Sequence, residues 1–223
     1  MAIPGQLLTP NEVSWMRRVP RPGTVAGTQK RNEFIAGLHS VSSDFRFLQV
    51  PRLTDGATLT EDSPIARTVT AVATPASAPQ GSGVRAILNG TSQYYTAPDT
   101  ANLSFGNATA DSAFSIVAWV NITNTGAIRD ILAKLDGTTG VTKREFEFYI
   151  DSSDLLTMNM WDESAGAYIG RSYSVAITQG SMIFVAMTYD ATEASSGIKL
   201  YRADGTNALA LDLPACTRQG DVW

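Results

Sequence analysis

Three carboxylates recur at even spacing in one stretch of the chain: Glu145, Glu147 and Asp151. In an extended strand successive side chains point to opposite faces, so these three share one face while Phe146, Phe148 and Ile150 take the other. Two close carboxylates on one strand are what hydrolysis of a glycosidic bond asks for, one as nucleophile and one as general acid. The same pattern is also ordinary for an antiparallel strand whose outer face is wet. It is read here as a solvated face, and no catalytic residue is assigned.

The other reactive side chains are scarce. The chain holds one histidine, His39, and one cysteine, Cys216. A zinc site built on several His or Cys ligands is thereby excluded, as is an intrachain disulfide. A Ser/His/Asp or Cys/His apparatus would have to use His39, which lies in a stretch with little apolar periodicity. Cys216 is read as a small buried hydrophobe. The expectation is a binding or structural protein, not an enzyme, with no cofactor.

Short alternating strands carry most of the pattern: 114–121, 146–151, 155–161, 182–190 and 199–202. In 114–121 both faces are apolar, which predicts a central strand. Leu156, Met158 and Met160 alternate after the cluster Asp151, Ser152, Ser153, Asp154, which supplies the polar turn of a hairpin. The spacing predicts an all-β, antiparallel sandwich, and 223 residues are enough for one large domain with a sizeable core.

The first 44 residues read differently. Pro4, Pro10, Pro20 and Pro22 with Gly5, Gly23 and Gly27 break every candidate element except a short helix from Thr9 to Arg18. This stretch carries a charge of +2, against −6 for the remainder of a chain whose net charge is −4. It is expected to be an extended anchoring arm, with Trp15, Met16, Arg17, Arg18 and Arg21 as partner contacts, because Trp and Arg are frequent interface anchors. The net negative charge argues against nucleic-acid binding. No run is apolar enough to span a membrane, and the first residues lack the apolar core of a signal peptide. Four N-x-S/T sequons, at Asn89, Asn102, Asn107 and Asn121, are read as incidental in so Ser/Thr-rich a chain.

From residue 45 onward the order of segments is distinctive. Asp55–Gly56, then "DSP" at 62–64 and "TVTAV" at 68–72, lead through a Pro/Ala/Ser connector to "ILNGTSQYYTAPDTANLSFG" at 87–106. "FSIVAWVN" (114–121), "ILAKLDG" (131–137), "FEFYIDSSDLLTMNMWD" (146–162), "FVAMTYD" (184–190) and "IKLYRADG" (198–205) follow. In this order the chain resembles the laminin-G-like, concanavalin-A-like jelly-roll domain, in the versions found in phage and bacterial structural proteins. The resemblance, which covers roughly Leu53 to Leu213, implies an antiparallel jelly-roll β-sandwich, assigned to 45–223 behind the extended arm of 1–44. It further implies a strand over 87–95, a loop over 98–105 and a tight turn at Asp204–Gly205.

It also implies two kinds of site. Such domains often bind calcium at one rim, for which Asp99, Asn102, Asp111, Asp130 and Asp136 are the candidate ligands, although no compact D-x-D-x-D-G run is present. They also bind carbohydrate, for which Tyr94, Tyr95, Trp161 and Tyr168 are the candidate stacking residues. The family pattern continues for a few strands beyond the "DG" hairpin, whereas this sequence reaches Trp223 soon after it. The expectation is either that the sequence is a fragment of a longer chain or that the sheet is completed by the arm or by a neighbouring subunit, in a homo-oligomer. Two function classes follow: a virion structural protein, of the phage capsid-decoration or tail-fibre kind, held to other virion subunits by the arm; or a carbohydrate-binding or adhesion module of a bacterial surface protein, meeting a cell-surface glycan.

Overall fold

Among the described residues, segments in which apolar and polar residues alternate form antiparallel strands. The computed structural model describes residues 59–60, 63, 65–80, 83–106, 109–123, 126–136, 143–203, 210–211 and 218–219. The arm expected over 1–44, with Trp15, Met16, Arg17, Arg18 and Arg21, lies outside the described residues, as do His39, Cys216 and the turn at Asp204–Gly205. The chain divides into two units, Met1–Leu103 and Ser104–Trp223.

In the first unit, β1 (Leu59–Thr60), β2 (Thr68–Val72), β3 (Ala76–Gln80), β4 (Gly83–Ile87) and β5 (Tyr94–Thr96) form a three-stranded sheet, ordered β1-β2-β5, and a separate ribbon of β3 and β4. The Pro/Ala/Ser connector expected between β2 and residue 83 is therefore half of a hairpin, with Ala76 opposite Ile87 and Pro79 opposite Val84. Proline is tolerated there because a two-stranded ribbon consists only of edges. The strand expected over 87–95 is broken as well. Asn89 Oδ1 accepts the backbone N–H groups of Thr91, Ser92 and Gln93 at 3.0, 3.0 and 3.1 Å, turning the chain between β4 and β5.

The second unit holds β6 (Phe114–Val120), β7 (Arg129–Asp136), β8 (Lys143–Ile150), β9 (Leu156–Asp162), β10 (Ala167–Ser172), β11 (Ile183–Tyr189), β12 (Ile198–Ala203), β13 (Ala210–Leu211) and β14 (Arg218–Gln219). They form two antiparallel sheets, a five-stranded one ordered β14-β10-β9-β8-β7 and a four-stranded one ordered β13-β12-β11-β6. Phe148, Leu156, Met158 and Ile169 from the first meet Val185, Met187, Ile198 and Leu200 from the second in one core. These eight side chains are wholly withdrawn from solvent, which makes the unit a β-sandwich. The hairpin turn before β9 is built as its sequence suggests: Asp151 Oδ1 accepts the N–H groups of Ser153 and Leu155 at 2.8 and 2.9 Å. After β12 the chain adds β13 to one sheet and β14 to the other.

Strand β6 departs from expectation. It pairs with β11 alone among the described strands, so it stands at the edge of the described sheet, where a central strand was expected. Its second apolar row, with Val117 and Trp119, is half-exposed, and Trp119 meets the ring of Phe184 edge-on at 5.4 Å. Two apolar faces therefore do not require two flanking strands. No described helix is long and apolar enough to cross a membrane.

Candidate functional site

Ladder register decides which side chains share the outward face of the five-stranded sheet. Glu147 lies opposite Asn159 and Asn159 opposite Gly170, giving one row across β8, β9 and β10. Trp161 opposite Tyr168 forms the next row, and Tyr149, Thr157 and Ser172 form the row on the other side. All of these alternate with the core residues Phe148, Met158, Met160 and Ile169, so they belong to the face turned away from the second sheet.

Two register shifts between β7 and β8 shape this face. Asp130 pairs with Tyr149 but Leu132 with Phe148, which leaves Ile131 as an extra residue in β7. Lys134 pairs with Phe146 but Leu135 with Arg144, which leaves Glu145 as an extra residue in β8. A bulged residue loses strict alternation, and Glu145 shows the consequence. Its carboxylate accepts the Phe105 N–H at 2.7 Å and pairs with Lys134 Nζ at 2.6 Å. Glu147 instead shares a hydrogen bond with Asp130. The two glutamates expected on one face thus belong to different hydrogen-bonded groups, and the spacing that suggested a hydrolytic pair does not assemble one.

Burial, reinforced by the Asp130 carboxylate, raises the Glu147 carboxyl from 4.5 to about 7, with Arg144 pulling in the other direction. Near neutral pH the Glu147 carboxyl is therefore only partly ionised. Tyr149 is likewise raised, first by burial and then by the charge of Glu147, while Asn159 Nδ2 donates to its hydroxyl at 3.0 Å. Asn159 is 8 % exposed, and its Oδ1 has no partner among the described residues. A side chain at Gly170 would collide with that oxygen, since an added Cβ would lie 2.3 Å from it, so glycine lets Asn159 lie flat across β10.

The aromatic row is preorganised. Trp161 and Tyr168 stand with ring centroids 6.2 Å apart, and the Arg144 guanidinium sits 5.2 Å from the Trp161 ring, with Nε bonded to Glu163 at 2.6 Å. Tyr168 keeps 38 % of its surface exposed. The turn between β9 and β10 is fixed by Asp162, whose carboxylate accepts the Ser164 hydroxyl and the Ser164 and Ala165 N–H groups and is held below its ordinary pKa by them. The arrangement offers ring faces, hydrogen-bond acceptors and a guanidinium on one sheet surface.

The remaining candidates scatter. Tyr94 and Tyr95 are successive residues of β5 in the first unit, so they point to opposite faces, with Tyr94 exposed. Of the calcium candidates, Asn102 accepts a hydrogen bond from the buried Arg67 guanidinium at 2.9 Å and Asp111 accepts the Tyr189 hydroxyl. Asp99 and Asp136 are exposed, and Asp130 faces Glu147. Among the described residues, no three of His, Cys, Asp or Glu gather where they could hold a metal ion. A guanidinium beside Asn102 repels a cation, which removes the electrostatic reason for calcium there. Asn159, Gly170, Arg144 and the Asp130–Glu147 pair were not singled out from sequence as one site. The β8–β9 alternation could have placed Asn159 on the face, but the bulges that bring Asp130 to Glu147 leave no mark in the pattern.

The family model described as the concanavalin A-like lectin/glucanases superfamily, a laminin G model, matches residues 89–213, more than half of the chain. No curated protein matches the chain. No solved structure matches it either.

Proposed function

Because the chain belongs to the concanavalin A-like lectin/glucanase superfamily, we propose that it is a non-enzymatic saccharide-binding module that meets its ligand on the outward face of the five-stranded sheet. The observation that carries this reading is the Trp161–Tyr168 ring pair, set in register on adjacent strands and flanked by Arg144. Apolar C–H faces of a pyranose stack on such rings, while the polar edge of the sugar finds partners beside them. Tyr168, the more exposed ring, supplies the open stacking surface, and Trp161 stiffens it from beneath Arg144. Binding of the full chain to immobilised oligosaccharides, compared with Trp161→Ala and Tyr168→Ala, tests the reading. Loss of binding in both variants with an unchanged melting temperature supports it; retained binding in both overturns it.

The display of such a module is a separate matter, and the basic N-terminal stretch favours one answer. We infer that residues 1–44, through Trp15, Met16, Arg17, Arg18 and Arg21, tie the module to other subunits of a virion, of the phage capsid-decoration or tail-fibre kind. The support is the +2 charge of that stretch against −6 for the rest, together with the resemblance to domains of phage structural proteins. Removal of residues 2–44 is expected to abolish incorporation into particles while leaving saccharide binding intact. Incorporation of the shortened chain at the level of the full one sinks the anchoring role.

A further inference from the structure

We propose that two copies of this chain join through the outer edge of β6, strand against strand about a two-fold axis at Val117, so that their four-stranded sheets continue into one. The inference concerns assembly and does not depend on the saccharide reading.

Among the described strands, the two long edges of the sandwich are built differently. At the edge of the five-stranded sheet, β7 carries Arg129, Asp130, Lys134 and Asp136 and two bulges, which are the devices that keep a strand edge from pairing. Strand β6 has none of them. Its seven residues hold no charge, no proline and no glycine, and they run against β11 in unbroken register. An unguarded edge of this length is a template for another strand. Large apolar side chains also stand open on it, with Val117 42 % and Trp119 44 % exposed.

The occupant follows from self-complementarity. An antiparallel copy of Phe114–Val120 overlaps all seven residues only when Val117 faces its own counterpart. Ser115 then lies opposite the other copy's Trp119, and Ile116 opposite its Ala118, so a large side chain meets a small one on both faces of the ladder. No like charges are brought together in it.

Charge and area agree with a second copy. The Phe114 ring meets Phe146 of β8 at 5.9 Å while β10 packs against β12, so the two sheets run in the same order and β6 and β7 border the same side. Two-fold symmetry therefore brings the Arg129 end of each β7 towards the Asp136 end of the other, opposite charges at both ends of the contact. Ile128 and Leu135, both exposed, add apolar surface on that side. Two strands of this length, in sheets about 10 Å apart, give a contact burying on the order of 1,000 Å² in total, the lower bound for a specific interface. An axis normal to the ladder leaves both five-stranded sheets on one side of the pair, so their outward faces point the same way.

Sedimentation velocity of the full chain, from low to high micromolar concentration, tests the pairing. The expected result is a monomer–dimer equilibrium. Val117→Lys sets two ammonium groups against each other at the axis and is expected to weaken the dimer on the order of a hundredfold. Val175→Lys, at an exposed apolar residue between β10 and β11, is expected to leave it unchanged. Should Val117→Lys fold poorly, Val117→Cys in a Cys216→Ser background gives a second readout: mild oxidation is expected to link the two copies, and not to do so for Val175→Cys in that background. A chain that stays monomeric throughout overturns the inference and leaves the edge to the N-terminal stretch or to a different protein. A dimer that Val117→Lys leaves intact overturns it as well, as does linking through Val175→Cys as readily as through Val117→Cys.

Discussion

The phenol of Tyr189, on β11, donates to Asp111 Oδ2 at 2.5 Å, and its oxygen accepts the Glu193 N–H at 2.9 Å. One hydroxyl thus ties the loop that enters β6 to the turn that leaves β11, 78 residues apart in sequence from Asp111. Tyr189 is almost wholly buried, and burial followed by the Asp111 carboxylate pushes its hydroxyl far above the ordinary tyrosine range.

Tyr189→Phe keeps the ring in the core and removes only the hydroxyl. The Asp111 carboxylate and the Glu193 N–H then lose a partner, and the expected cost is about 1–3 kcal/mol, as for a hydrogen bond to a charged group. Urea denaturation of the variant checks it. In alkaline titration followed by ultraviolet absorbance, one tyrosine of the native protein is expected to stay protonated until the fold itself gives way.

Glu147 gives the protein a pH-dependent stability. Its folded value of about 7 lies above the ordinary 4.5. Below about pH 4.5 the group is protonated in both folded and unfolded chains, and its contribution is fully present. As pH rises from 4.5 through 7 the unfolded chain releases the proton first, so stability falls across that window and then levels. Glu147→Gln is expected to flatten the curve and to stabilise the protein above pH 7 by on the order of 1–2 kcal/mol, with allowance for solvent screening. Melting temperatures from pH 4 to 9 decide it, and parallel curves for the two proteins would refute it.

Gly170→Ala would set a methyl group against Asn159 Oδ1, 2.3 Å away, and within 3.3 Å of the Met158 carbonyl oxygen. Asn159 must swing off β10 and release the Tyr149 hydroxyl, at an expected cost of about 1–3 kcal/mol. Chemical denaturation gives the magnitude, and a changed tyrosine titration reports the freed hydroxyl. An unchanged stability would show that Asn159 does not need the glycine.

Asn89 holds its turn with one oxygen shared among three N–H groups, while Gln93 Nε2 reaches the carbonyl oxygens of Ala73 and Thr74, both at positive φ. Asn89→Ala is expected to destabilise the turn between β4 and β5 by about 1–2 kcal/mol. Faster amide exchange at Thr91, Ser92 and Gln93 than in the wild type is the measurement that shows it.

Much of the sandwich could be read directly from the order of residues. Strands β8 and β9 follow from Phe146, Phe148, Ile150, Leu156, Met158 and Met160, because a period of two in side-chain polarity is a local property of the chain. The Asp151 turn and the Asp162 turn between β9 and β10 are local in the same sense. Segment order carried the family, which the match over 89–213 bears out. The ribbon of β3 was missed because Ala76, Ala78 and Pro79 have no strand preference of their own; pairing with β4 makes them a strand.

The sequence by itself determined the all-β class, the core faces of the alternating strands and the shortage of histidines and thiols, since each depends only on residue type and spacing. Tertiary structure decided the rest. It put β6 at the edge of the described sheet, sent Glu145 to Lys134 and Phe105, brought Asp130 to Glu147, and set Trp161 beside Tyr168 in one row with Asn159 and Gly170 alongside. Strand neighbours and bulges are choices between segments far apart in the chain, settled by which pairing buries the most apolar surface and leaves the fewest polar groups unpaired. That choice leaves no periodicity in the text of the chain, and the candidate site is built from it.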